Sequence, residues 1–342
     1  MKIVKIFVVV LVLFPGLLLG EIFPKTGTAG LQFLKIGIDA RAIGMGEAYT
    51  AVTDDISSVY WNPAGLALKP QNQILFSHTQ WVADIMYEFF AASKVMNMGT
   101  FALSASALHM PAMDVYVEES FDTPTGEKFY ASDFSVGLTY SSLFTDKFSF
   151  GFTAKYLRQN LDEYSVNGIS VDVGSLYNTK WRNLTIGMSL RNFGPDLKYE
   201  LDNDNDGELD EDPFDLLDND NDGKIDEDRE ELPFKIPMNF SLGIAADIFR
   251  NENSYLIGSF QLDNCVDRME TYNLGFEYSM GIFKVRSGYQ FEMDAASYSA
   301  GFGWKIPLRF AIIDIDYSYT NMQDLTENAF KTPHRLSVKL FY

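Results

Sequence analysis

The chain has one cysteine, Cys265, in 342 residues. An internal disulfide is therefore impossible, and zinc-ribbon arrangements are excluded. Histidine is nearly as scarce. His78, His109 and His334 stand far apart in sequence, as loop or wall residues do. GxSxG and HExxH signatures are missing, and so is a phosphate-cradling loop. Gly44-Met45-Gly46 begins like a dinucleotide fingerprint, but the third glycine and the strand–helix setting do not follow. Asp54 and Asp55 read as turn or cap residues, or as contacts to basic groups, rather than as a catalytic carboxylate pair. The expectation is a protein that is not an enzyme.

Long apolar runs are also lacking beyond the first twenty residues. Residues 1–20 read as a secretory signal: Lys2 and Lys5 precede an apolar core over 6–19, interrupted by Pro15 and Gly16, and Gly20 suits the residue before the cut. A spanning anchor needs about 20 apolar residues, which this core does not supply. No cysteine follows for lipid attachment. A membrane passage elsewhere in the chain would have to be made by strands.

Strand alternation is what the sequence does have. Phe101, Leu103, Ala105 and Ala107 share one face, and Thr100, Ala102, Ser104 and Ser106 the other. Leu184, Ile186, Met188 and Leu190 alternate with Thr185, Gly187, Ser189 and Arg191. The longest run sets Met238, Phe240, Leu242, Ile244, Ala246 and Ile248 against Asn239, Ser241, Gly243, Ala245 and Asp247. Period two over about ten residues marks a strand with one lipid face and one polar lumen face. A soluble sandwich alternates too, so the count and the connections must decide.

Fourteen strands can be marked: 71–79, 86–96, 100–110, 131–142, 147–160, 168–178, 182–192, 236–249, 253–263, 270–280, 282–292, 297–305, 309–320 and 334–342. The first two have the weakest pattern. An even number suits a bacterial single-chain barrel. Connections after even-numbered strands are short, and those after odd-numbered strands include every long one, at 111–130, 193–235 and 321–333. Short periplasmic turns and long outer loops give that asymmetry. A mean hydropathy of −0.07 fits a wall that averages its two faces. Tyr140, Tyr156, Tyr177, Trp181, Tyr278, Trp304, Tyr317 and Tyr319 fall near strand ends, where interface girdles lie. Lys155, Arg191, Lys284, Arg286 and Lys339 are candidates for the lumen. At the C-terminus Leu336, Val338, Leu340 and Tyr342 share a face, and the chain ends on an aromatic, as in the terminal strand signal read by outer-membrane assembly machinery.

The net charge is −20, but residues 200–231 hold 17 Asp and Glu against Lys224 and Arg229, a net of −15. Acidity is thus a property of one insertion, at 198–234, and no basic surface invites nucleic acid. Asp202-Asn203-Asp204-Asn205-Asp206-Gly207-Glu208-Leu209-Asp210 recurs sixteen residues later as Asp218-Asn219-Asp220-Asn221-Asp222-Gly223-Lys224-Ile225-Asp226. Carboxylates at positions 1, 3, 5 and 9, a turn-permitting glycine at 6 and the position-7 carbonyls of Glu208 and Lys224 form a calcium loop. Two or more Ca²⁺ ions in 202–228 are expected. Position 12 departs from the EF-hand, being Pro213 and Arg229, and the pattern is closer to thrombospondin type 3 repeats. The plain alternative is a solvated acidic loop that repels itself and extends.

One stretch, 27–68, is neither strand nor acidic. It is rich in glycine and small residues, carries a bulky Trp61, and reads as irregular backbone packed inside something. The words Gln32-Phe33-Leu34-Lys35-Ile36-Gly37, Ala40-Arg41-Ala42, Gly44-Met45-Gly46, Asp54-Asp55 and Trp61-Asn62-Pro63-Ala64-Gly65-Leu66 resemble the opening of the PorV/PorQ family, outer-membrane barrels similar in fold to FadL transporters.

The resemblance implies a 14-stranded antiparallel transmembrane β-barrel over 71–342, of all-β class. It also implies an N-terminal plug or hatch over 21–70 entering from the periplasmic side. Gly44, Gly46, Asp54, Asp55, Trp61, Asn62, Pro63 and Gly65 form the plug motif. It implies a place in the bacterial outer membrane, among outer-membrane lipid. For function it implies binding of exported or surface-anchored proteins, or of secretion components, through outer loops in a type IX secretion-like role. The alternative is a FadL-like conduit for a hydrophobic small molecule.

Overall fold

The computed structural model describes residues 27–116, 124–162, 164–199, 233–292, 298–321 and 332–342. The leader at 1–20 and every expected calcium ligand from Asp202 to Asp226 lie outside them.

Fourteen antiparallel strands close into a barrel. They are β1 (Gln73–Gln80), β2 (Met86–Met96), β3 (Gly99–His109), β6 (Ala131–Leu143), β7 (Phe148–Leu161), β8 (Tyr164–Asn178), β9 (Thr185–Phe193), β10 (Asn239–Arg250), β11 (Ser254–Cys265), β12 (Thr271–Met280), β13 (Phe283–Phe291), β14 (Tyr298–Pro307), β15 (Ile312–Asn321) and β16 (His334–Phe341). β16 pairs with both β15 and β1, so no wall edge is left open. All fourteen expected strands are present, with ends shifted by a few residues. A small addition is the hairpin of β4 (Met113–Asp114) and β5 (Lys128–Phe129), inside a connection read as loop.

The faces are inverted relative to a soluble sandwich. Leu103, Leu138, Ile169, Val285 and Phe302 are more than half exposed on the outside, while Thr139, Asp172, Glu277, Arg286, Ser337 and Lys339 are buried within. An apolar exterior around a polar interior suits hydrocarbon outside and a hydrated or ion-paired lumen. No helix among the described residues is long and apolar enough to cross a membrane. Tyr156, Tyr177, Trp181 and Trp304 face outward.

The connections at 97–98, 144–147, 179–184, 251–253, 281–282 and 308–311 lie at one end. Those at 110–130, 194–238 and 322–333 lie at the other. That second end is the outer one by the short-turn rule. β1 and β2 patterned poorly because Leu75, Tyr87, Phe89 and Ala91 are apolar yet face inward. They belong to an interior cluster with Leu31, Phe33 and Trp61, so alternation of hydropathy fades although alternation of faces persists.

The wall predicts its own sensitivity. Leu242 points outward from β10, and Leu242→Arg should destabilise the folded barrel in lipid vesicles by about 2–4 kcal/mol if it stands near mid-bilayer. Urea unfolding followed by Trp fluorescence would measure this, and a neutral effect would place the hydrocarbon band elsewhere.

Candidate functional site

The lumen is occupied by residues 27–68, an irregular segment with four single-turn helical pieces: Gln32–Lys35, Ala40–Gly44, Ser58–Trp61 and Pro63–Ala67. Such backbone leaves amides and carbonyls unpaired, and burial makes that costly. The wall answers with side chains. Gln261 Oε1 accepts from the amides of Tyr49 and Thr50 at 2.9 and 2.8 Å. Gln73 Oε1 accepts from Ile56 N at 2.8 Å, and Ser337 Oγ from Ala40 N at 2.8 Å.

The expected plug-motif residues are brought together by this packing. Asn62 caps the Pro63–Ala67 turn through Ala64 N, with Pro63 in the first-turn position that its missing N–H favours. Its Nδ2 donates to Thr50 O at 3.0 Å and to Ser175 O of β8 at 3.2 Å. Trp61 Nε1 donates to Ile38 O at 3.1 Å, and its ring meets Tyr49 and Tyr60 edge-on. The Arg191 guanidinium of β9 lies 4.9 Å from the Tyr60 ring centroid and 5.3 Å from that of Trp61. Gly65 packs within the segment, against Thr53 and Ser58.

Gly44 and Gly46 serve the wall instead. A Cβ on Gly44 would come within 3.2 Å of Gly301 Cα. Gly46 has φ +62°, and a Cβ there would stand 2.8 Å from Tyr289 N. The wall returns the arrangement. Gly151 pairs with Gly174, Gly187 with Gly243, and Gly275 with Gly288 across neighbouring strands. All six face inward; the missing side chains of Gly151, Gly187, Gly243, Gly275 and Gly288 admit the segment's backbone at Pro63, Thr50, Ala51, Met45 and Gly46, and that of Gly174 admits the Asn62 side chain. A methyl on Gly151 would overlap the Pro63 carbonyl carbon, and one on Gly288 would overlap Gly46 N.

Charge fixes the lower half. Lys339 of β16 places Nζ 2.6 Å from Asp39 and 2.8 Å from Asp55. Arg41 reaches Asp54 at 2.6 Å, Asp55 at 3.0 Å and Glu277 of β12 at 2.8 Å. Glu277 is shared with Arg286, which also holds Asp316 at 2.7 Å. Asp55 is buried between Lys339 and Arg41, which supply its counter-charge. Asp54 is paired in the same way with Arg41 and Lys69. Asp54 and Asp55 are thus the lumen contacts expected of them, and Lys155, Arg191, Lys284, Arg286 and Lys339 all face inward.

Asp39, Arg41, Gln73, Gln261, Glu277 and the six wall glycines are not singled out by the sequence as site residues. Arg41 lies within the Ala40-Arg41-Ala42 motif, and the glycines lie on the polar phase of their strands. Their meaning depends on register, which alternation does not supply.

The segment is not confined to the short-turn end. Gly30 N donates to Lys235 O at 3.0 Å, and Gln32 and Lys35 both reach Asp267 at 2.8 Å, at the long-loop end. The chain enters β1 from the opposite end, so 27–68 runs the length of the lumen.

A closed fourteen-stranded wall with apolar exterior, ion-paired interior and occupied lumen defines an outer-membrane β-barrel. The family described as type IX secretion system protein PorV matches residues 24–262, and the chain belongs to it. That match reaches far beyond the forty residues whose words resemble the family, and it places the protein in the bacterial outer membrane. Among solved structures, the toluene transporter TodX of Pseudomonas putida is 10% identical with a TM-score of 0.52, covering 87% of this chain and 96% of that one. A Pseudomonas aeruginosa FadL homologue is 13% identical with a TM-score of 0.54, covering 89% and 98%. The Ralstonia pickettii toluene transporter TbuX is 14% identical with a TM-score of 0.52, covering 90% and 97%. At such identities these share the fold. No curated protein matches the chain.

Lys339→Met should leave Asp39 and Asp55 buried without their ammonium, a change costing about 3–5 kcal/mol. Hydrogen exchange over 38–62 should then accelerate while the strands stay protected. Unchanged exchange would show that the ion network does not hold the segment.

Proposed function

We propose that this protein is a non-enzymatic outer-membrane barrel whose lumen is plugged by residues 21–70. In this reading its outer loops bind exported or surface-anchored proteins of a type IX-like secretion route. The observation that carries this is the docking of 27–68, which is paired to the wall from Lys235 and Asp267 down to Lys339. A lumen filled along its length supports a barrel that works through its loops.

A second reading, a conduit for a hydrophobic small molecule, is favoured by one observation. Tyr87, Phe89, Leu157 and Val166 face inward and belong to the apolar interior cluster that includes Leu31, Phe33 and Leu34. Withdrawal of the segment's upper part would uncover them.

The acidic insertion is proposed to bind two or more Ca²⁺ ions through Asp202, Asp204, Asp206, Glu208 and Asp210, and through Asp218, Asp220, Asp222, Lys224 and Asp226. The ions would cancel the self-repulsion of the insertion and give the loop surface a defined shape.

Native mass spectrometry of the protein extracted from its own outer membrane with calcium present is the test. A secreted or anchoring protein retained on the barrel, and lost after chelation, is the expected result. A retained apolar small molecule without a protein partner would favour the conduit. Titration calorimetry of the full chain should show calcium uptake that the combined Asp202→Asn, Asp206→Asn, Asp218→Asn and Asp222→Asn variant has lost. Equal uptake would remove calcium from the account.

A further inference from the structure

The outer wall carries a depression of about 660 Å³ that the lumen does not explain. Its base is one cross-strand row, Leu138, Ala154, Val171 and Phe193, on β6 to β9. Ala154 is the small member of that row and leaves the hollow. Tyr156 and Ile169 stand in the next row toward the outer end.

The wall itself opens the hollow on one side. The β8–β9 register shifts between Val171 and Val173, and Asn192 takes φ +58° and donates its amide to Asp172 Oδ1 at 2.7 Å. β9 then leaves the sheet after Phe193, so Ile169 lacks a strand neighbour on that flank. The size falls within the range of about 300–1,000 Å³ that binds small ligands.

One row further out, Arg158 projects from β7 on the same outward face, two residues beyond Tyr156. Its Nε donates to Asn160 Oδ1 at 3.1 Å. Among the described residues no carboxylate pairs with it. Asn167, on β8 directly across from Arg158, accepts from the Tyr156 hydroxyl at 2.6 Å. The face therefore grades outward from apolar hollow, through an aromatic hydroxyl, to a cation with Asn167 on one side and the exposed Phe134 ring on the other. A guanidinium with no carboxylate partner among the described residues, at the edge of hydrocarbon, is expensive unless it meets headgroup charge.

We infer that this face binds a phosphate-bearing lipid of the outer leaflet, with an acyl chain in the Ala154 hollow and the phosphate on Arg158. The order of chemistries along the wall matches the order of parts in such an amphiphile. Phosphate and guanidinium are complementary in charge and in bidentate geometry. The site is separate from the lumen and independent of whether the barrel binds proteins or conducts solutes.

The test uses full-length protein, delipidated in detergent and offered equal amounts of dimyristoyl phosphatidylglycerol and dimyristoyl phosphatidylcholine, read by native mass spectrometry. Wild type should retain the anionic lipid about fivefold over the zwitterionic one, in line with one basic side chain at a charged surface. Arg158→Gln should abolish that preference. Ala154→Phe, which fills the hollow from the outside, should lower retention of both lipids, while Val285→Phe on β13 should change neither. Heat-modifiable mobility on gels checks that each variant is folded. Equal retention of the two lipids by wild type, or retention by both Arg158→Gln and Ala154→Phe that matches wild type, would overturn the assignment. So would a protein bound in native membrane extract that Ala154→Phe displaces.

Discussion

The Lys339 ammonium, held between Asp39 and Asp55, is the interaction on which the rest of the molecule converges. Lys339 lies on β16, the strand that closes the barrel by pairing with β1. Asp39 and Asp55 belong to the segment that fills the lumen. One buried ion cluster therefore joins the last strand of the wall to the irregular segment that precedes the first. Arg41 extends the cluster to Glu277, and Glu277 extends it to Arg286 and Asp316, so β12, β13, β15 and β16, all on one side of the closing seam, share the same charges. Buried charges of this kind owe their tolerance to opposite charges at hand rather than to any surplus of attraction, and removal of one partner leaves a buried charge uncompensated.

The second constraint is steric. An irregular backbone can lie against a β-wall only where the wall has no side chains. Three cross-strand glycine pairs, Gly151–Gly174, Gly187–Gly243 and Gly275–Gly288, supply that clearance at three points of the segment. Glycine weakens a strand. Here the cost is offset by contact between backbones and by amides satisfied through Gln73, Gln261 and Ser337. Clearance and charge act on different stretches: the glycine pairs fix 45–51 and 62–64, and the ions fix 39–41 and 54–55. Together they make the segment part of the barrel's interior rather than an appendage.

Much of this was legible in the residues. Period-two alternation located the fourteen wall strands, because a wall between lipid and a polar lumen repeats the same choice at each position. Connection lengths set the orientation. The C-terminal row of Leu336, Val338 and Leu340 faces outward as its spacing implied. Less could be read where inside and outside were both apolar: β1 and β2 blurred because Leu75, Tyr87 and Phe89 pack on the segment. The motif words pointed to the segment, and Asn62, Pro63 and Trp61 proved to be its structural joints. Their wall partners stayed hidden, because a glycine on a polar strand face looks like any small residue until register sets another glycine beside it. The reach of the segment to Asp267 at the outer end was also out of sight, since nothing in 27–35 encodes which loop it meets.

Residues 27–68 lie in the lumen as an integral part of the fold, and we propose that they close it. Conductance of the purified protein in planar bilayers tests it most directly. A wall sealed by the glycine contacts and the Lys339 cluster predicts no steady current at neutral pH and moderate voltage. A stable, reproducible conductance in the wild-type protein would contradict the claim and would make the barrel an open channel.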